Sequence, residues 1–195
     1  MHIILNDMME EELEKACHII RKGGIILYPT DTIWGIGCDA TNAEAVQRIY
    51  DLKQRSDSRS MLVLIDSPEY LPHYVCELPD IAGDLIELSV KPLTIIYSGA
   101  QNVAPNLIAA DGSLGIRITR EAFSQQLCRR MKKPLVSTSA NISGQAAPAN
   151  FSEIGTEILQ GVDYVVKYRQ REKQKNQASS IIRLEEGGIV KVIRE

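Results

Sequence analysis

Two stretches far apart in the chain hold residue types that could do chemistry together. Asp51-Leu52-Lys53-Gln54-Arg55 places a lysine and an arginine two residues apart, with Arg59 close behind. Lysine offers a compact charge and arginine a planar fork, which are complementary partners for phosphate oxygens. Ser137-Thr138-Ser139-Ala140-Asn141-Ile142-Ser143-Gly144 follows the apolar Leu135-Val136 and is almost entirely small, polar or glycine. A turn there points hydroxyl and amide donors at a ligand from the end of a strand, where sites of α/β folds commonly lie. If the fold joins the two stretches, Lys53, Arg55, Ser139 and Asn141 make a pocket for a phosphorylated ligand. Taken singly, Lys-x-Arg is a common surface pattern, and a Ser/Asn-rich loop often caps only its own turns.

A third candidate is Tyr28-Pro29-Thr30-Asp31-Thr32-Ile33-Trp34-Gly35-Ile36-Gly37, which combines threonines, one acid, the only tryptophan and two glycines. Read as a loop, it can line a small-molecule pocket with hydroxyls and one aromatic wall, or form a plain turn with Trp34 as a core anchor. Gly115-Ile116-Arg117-Ile118 puts an arginine into an apolar strand. An unpaired charge is costly there, so Arg117 calls for an anionic partner, either a ligand or a structural carboxylate. Neither a Walker loop nor a Gly-x-Ser-x-Gly elbow is present. Cys17, Cys38, Cys76 and Cys128 are widely spaced, without a Cys-x-x-Cys pair or a histidine at ligand spacing. They predict reduced, mostly buried thiols and no protein-held metal.

Periodicity supplies the elements that must position these groups. Leu13, Ala16, Cys17 and Ile20 recur at helical spacing between Glu10-Glu11-Glu12 and Arg21-Lys22-Gly23-Gly24. Ile25 to Tyr28 is a short buried strand stopped by Pro29, and Thr41-Asn42-Ala43-Glu44 reads as a capping box for a helix ending at the basic motif. Strands are expected at Met61–Ile65, Leu93–Tyr97, Gly115–Thr119, Leu135–Thr138, Val162–Val166, Ser179–Leu184 and Ile189–Ile193. Helices are expected at Asp80–Leu88, Glu121–Met131 and Ser152–Leu159. The mixture predicts an α+β (α/β) fold: a twisted, mixed parallel/antiparallel sheet flanked by helices. Its last two strands should be antiparallel, joined by the turn Glu185-Glu186-Gly187-Gly188. From Lys167 to Gln177 the chain is polar and basic, reading as a solvated loop, a nucleic-acid contact or a lid over an anionic ligand.

With 195 residues, 44% hydrophobic and 24% charged, the chain suits one globular domain over residues 1–195 rather than two. A net charge of -3 excludes nucleic-acid binding by the overall field and leaves only a local basic site. No apolar run is long enough to span a membrane, and the acidic N-terminus lacks the pattern of a signal peptide, so a cytoplasmic protein is expected.

Taken in order, these segments resemble the YrdC-like family of threonylcarbamoyl-AMP synthases. Tyr28 to Gly37 is similar to the family's Tyr-Pro-Thr-Asp/Glu-Thr loop, Lys53 and Arg55 to its Lys-x-Arg, and Ser139 and Asn141 to its Ser-x-Asn. Pro92-Leu93-Thr94, the Arg117 strand and Ser179-Ser180-Ile181-Ile182 extend the resemblance over nearly the whole chain. Each motif is modest; the ordered set is specific.

The resemblance implies an open concave basic cleft. It also implies an enzyme that makes threonylcarbamoyl-AMP and pyrophosphate from L-threonine, bicarbonate and ATP, with Mg²⁺, for the threonylcarbamoyladenosine modification of tRNA. Contact with tRNA or double-stranded RNA and downstream threonylcarbamoyl-transfer proteins would follow. By position, Lys53, Arg55, Ser139 and Asn141 hold the phosphates and the reacting carbamate, with Arg59 and Arg194 as further phosphate candidates. Arg117 is assigned the threonine carboxylate, and Thr32 and Ser179 its amino or hydroxyl group. The pattern departs at Ser56, where the family often has proline, and at Leu64, where it often has histidine. The length resembles the short, single-domain form. Two other functions share the fold: an RNA-binding module, and a diverged ATP-using carbamoyl-transfer enzyme.

Overall fold

The computed structural model describes residues 2–54 and 61–195. Helix α1 (His2–Arg21) begins well before Glu10, since no proline or glycine interrupts the upstream residues. Strand β1 (Ile26–Tyr28) follows, and then, inside the stretch expected to be loop, a second strand β2 (Gly35–Gly37). Two glycines in three residues hide that strand from propensity. Packing explains their presence: a Cβ on Gly37 would lie 2.4 Å from the Val136 carbonyl oxygen and 2.6 Å from the Tyr28 ring.

Helix α2 (Ala43–Leu52) is capped by Asn42, whose side chain accepts from the N–H groups of Glu44 and Ala45. The cap is therefore one residue later than the expected box; Thr41 instead donates its hydroxyl to Asp39 at 2.6 Å. The chain continues through β3 (Leu62–Ile65), a short α3 (Leu71–Tyr74), α4 (Ile81–Leu88), β4 (Leu93–Tyr97) and β5 (Leu114–Ile118). Helix α5 (Ala122–Met131) and β6 (Leu135–Ser139) come next. The expected helix at 152–159 divides into a 3-10 turn, Phe151–Glu153, and α6 (Thr156–Gly161), parted by Ile154 and Gly155. Strands β7 (Tyr164–Val165), β8 (Ser180–Leu184) and β9 (Val190–Arg194) complete the chain.

Among the described residues all nine strands lie in one sheet of order β7-β1-β2-β6-β3-β5-β4-β8-β9. Pairings β1/β7, β3/β5 and β4/β8 are parallel and the others antiparallel, including the closing β8/β9 pair. The mixed sheet flanked by helices agrees with the sequence expectation. Because side chains alternate across a sheet, Leu27, Ile36, Val63, Ile95, Ile116 and Val136 enter one apolar cluster with Val46 and Ile49 of α2. Ile26, Tyr28, Leu64 and Leu135 enter the other, with Leu13 and Ile20 of α1 and Phe123 and Leu127 of α5. On this second side, Gly35, Ser137, Gly115, Arg117 and Thr94 line a cavity instead of packing under a helix.

The cavity wall is braced at β8. Asp111 accepts from the Ser113 hydroxyl at 2.6 Å and from Arg183 at 2.6 Å, joining the loop before β5 to β8. The Ser113 bond first, and then Arg183, lower the Asp111 pKa from 3.8 to about 2. A carboxylate lowered in the fold stabilises it above its unfolded pKa and loses that contribution as pH falls through the folded value. The melting-temperature gap between wild type and Asp111→Asn is therefore expected at neutral pH and should close between pH 3.8 and about 2. Substituting Gly37→Ala should cost about 1–3 kcal/mol in urea unfolding, because neither a carbonyl nor a buried ring can yield cheaply.

Candidate active site

The two opening stretches do meet. Lys53 caps the C-terminal end of α2, where a cation is favourable, and Gln54 takes the left-handed conformation that ends the helix. Only 2% exposed, Lys53 drives its ammonium into the turn after β6 and donates to the carbonyls of Ser139 (2.5 Å) and Asn141 (2.6 Å). The Ser143 N–H returns a bond to the Lys53 carbonyl at 2.9 Å. Lys53 thus braces the polar turn from beneath and is not part of the cavity lining. Asn141 is likewise turned inward: its amide donates to the carbonyls of Ile142 and Gln145, both at 2.9 Å, and its buried Oδ1 has no hydrogen-bond partner among the described residues. Arg55, Arg59 and Ser56 lie outside the described residues.

Above that turn lies a cavity of about 270 Å³. Thr32, Trp34, Ser137, Thr138, Ser139 and Ser179 give it hydroxyls and one aromatic wall, and Arg117 and Arg194 give it charge. Trp34 has both expected roles, since it also packs into the core and meets Phe151 at 4.9 Å. Thr32 is set by its own loop: its N–H donates to Thr30 Oγ1 at 3.1 Å, and the two hydroxyls lie 3.0 Å apart. Ser179 shares a 2.9 Å hydroxyl contact with Thr94, and its carbonyl accepts from Arg194 Nε and Nη2 at 3.0 and 2.8 Å. Arg194 therefore commits two nitrogens to holding the start of β8. Burial first, and then the Arg117 charge, lower its pKa, so the two guanidiniums feel one another.

Arg117 is 3% exposed and forms an ion pair with Asp31 at 3.0 Å. The structural carboxylate required by a buried arginine is therefore present. It does not satisfy the arginine, because Arg117 Nε has no hydrogen-bond partner among the described residues and Asp31 Oδ1 has none either. The contact is one of charge rather than an aligned hydrogen bond. Burial raises the Asp31 pKa, with Arg117 opposing the rise. Leu64, level with Arg117 in the β3/β5 register, is fully buried in the α1–α5 core and lines no part of the cavity.

Sequence reasoning gave Thr94 no site role and held Ser137 and Thr138 only as members of the polar stretch; all three line the cavity. Thr94 carried a usable signal, being a polar residue within an apolar strand that pairs with Arg117 in register. The segment 167–177 is anchored at its start rather than simply solvated: Lys167 N–H donates to Glu12, and Arg169 reaches the Thr30 carbonyl at 3.3 Å and Glu121 at 3.2 Å. Arg171, Lys173 and Lys175 are exposed. Of the cysteines, Cys17, Cys38 and Cys128 are buried and Cys76 is exposed.

The Sua5/YciO/YrdC family model, described as telomere recombination, matches residues 18–195. A putative threonylcarbamoyl-AMP synthase of Methanocaldococcus jannaschii is 32% identical over 195 residues, covering 97% of this chain and 90% of the relative. The chain belongs to the Sua5/YciO/YrdC family. A second relative, the threonylcarbamoyl-AMP synthase of Pseudoalteromonas translucida, is 30% identical over 160 residues, 80% of this chain and 86% of its own. Among solved structures, YciO of E. coli superposes with a TM-score of 0.81 at 24% identity, over 94% of this chain and 88% of that one. Sua5 of P. abyssi complexed with L-threonine gives 0.82 at 23% identity, over 93% of this chain. This chain spans 53% of that Sua5 chain. At these identities the structural likeness speaks for the Sua5/YciO/YrdC fold alone.

Removing the Lys53 ammonium while keeping its stem tests the brace. Lys53→Met is expected to lower unfolding stability by about 2 kcal/mol, because two carbonyls lose a charged donor. Amide exchange should accelerate at residues 139–145 ahead of the rest of the sheet.

Proposed function

We propose that the protein is a threonylcarbamoyl-AMP synthase, forming threonylcarbamoyl-AMP and pyrophosphate from L-threonine, bicarbonate and ATP. The observation that carries the reading is Arg117, a buried guanidinium with hydrogen-bonding capacity to spare, set among hydroxyls in a small cavity. A cavity of about 270 Å³ suits an amino acid and its carbamate rather than a whole nucleotide. In this reading Arg117 takes the threonine carboxylate, and Thr32, Thr94 and Ser179 take its amino and hydroxyl groups. A buried site that hydrogen-bonds a hydroxyl rejects analogues lacking one.

The chemistry needs no protein nucleophile. The threonine amine adds bicarbonate with loss of water, and the carbamate so formed is already an anion. Its oxygen bonds to the α-phosphorus of ATP, the bond to the bridging oxygen breaks, and pyrophosphate leaves. The protein supplies alignment and charge compensation. Ser139, on the turn held by Lys53, Arg194 across the cavity, and Arg55 and Arg59 are the groups assigned to the phosphates and carbamate. Among the described residues no three His, Cys, Asp or Glu side chains form a metal-binding group. In this reading a Mg²⁺ ion is held chiefly by the triphosphate oxygens and water. The product serves the modification of tRNA.

Pyrophosphate release from ATP, measured with and without L-threonine and bicarbonate, tests the reading. Release should depend on both; threonine-independent release, or none from folded protein, rejects it. Arg117→Ala should lower kcat/KM for threonine by about 10- to 100-fold, the worth of a charge-assisted hydrogen bond.

A further inference from the structure

We infer that Asp31 positions Arg117 for the threonine carboxylate and so sets the preference of the cavity for a substrate carrying one carboxylate. The inference rests on the synthase reading above. Asp31 is absent from the cavity lining and belongs instead to a separate crevice of about 130 Å³, beside Pro92, Ile118 and Arg120. It acts on the ligand only through Arg117, and is a positioning residue.

Three observations meet at this side chain. First, its backbone is fixed: Thr30 Oγ1 accepts the Thr32 N–H and donates to the Ile33 carbonyl, bracketing Asp31, while Arg169 holds the Thr30 carbonyl. Second, the ion pair is deeply placed, with side chains 3% and 10% exposed, and incompletely hydrogen-bonded. Such a pair adds little stability over well-packed apolar residues, so stability does not explain it. Third, of the two cations in the described lining, Arg117 and Arg194, Arg117 is the one paired with Asp31. Arg194 is assigned to the phosphates and carbamate, which leaves Arg117 for the threonine carboxylate. With Nη2 drawn to Asp31 at 3.0 Å, the guanidinium is biased toward one orientation and its other N–H groups are left for the ligand.

The test is steady-state pyrophosphate release by wild type, Asp31→Asn and Asp31→Glu, with melting curves for each. Asp31→Asn should raise the threonine KM about tenfold, leave the ATP KM within about twofold, and shrink the preference for L-threonine over carboxylate-free L-threoninol about tenfold. Asp31→Glu keeps the charge and should lie nearer to wild type. An unchanged threonine KM in Asp31→Asn, a parallel rise in ATP KM, or a poorer Asp31→Glu overturns the inference. If wild type shows no threonine dependence, the synthase reading itself has failed; a threonine-dependent wild type with an indifferent Asp31→Asn sinks the inference alone.

Discussion

The site depends on one buried ammonium. Lys53 links the end of α2 to the turn after β6 by binding two of its carbonyls, and a charge that is 2% exposed tolerates little movement of those acceptors. That turn carries Ser139 into the cavity, and β6 beneath it pairs with β2 and β3. The Lys53 junction therefore ties the end of α2 to the segment that gives Ser139 to the cavity.

Most of the architecture was legible because strand and helix periods differ. Leu93–Tyr97 and Leu135–Ser139 stand close to their expected spans, and the β8/β9 pair follows from apolar runs around a double glycine. β2 was hidden because its sequence is Gly-Ile-Gly, chosen by close packing rather than by strand propensity. At the site, residue types were legible and orientations were not. Lys53 and Asn141 were correctly grouped with Ser139, yet they face the turn's own carbonyls, an outcome set by distances between segments almost ninety positions apart. Arg117 was legible as a charge needing a partner, whereas its pairing with Asp31 required the loop after β1 to fold over β5.

The electrostatics of the cavity share a pattern. Arg117 and Arg194 each spend part of their capacity on the protein, one on a carboxylate and the other on a backbone carbonyl. Each is held in place by that expense, and a pre-oriented cation loses less entropy on meeting an anion. Hydroxyls share the lining with them, and their rotatable protons can act as donor or acceptor.

The order of strands in the sheet has a kinetic consequence. Neighbours β2 and β6, β3 and β5, and β4 and β8 are brought together over long stretches of chain, and the cavity takes residues from Thr32 to Arg194. Each closure must be made against chain entropy before its contacts reward it, so this topology belongs among the slower folders. No contiguous fragment shorter than residues 32–194 contains the whole lining, and binding competence should emerge in refolding only at the final, global step.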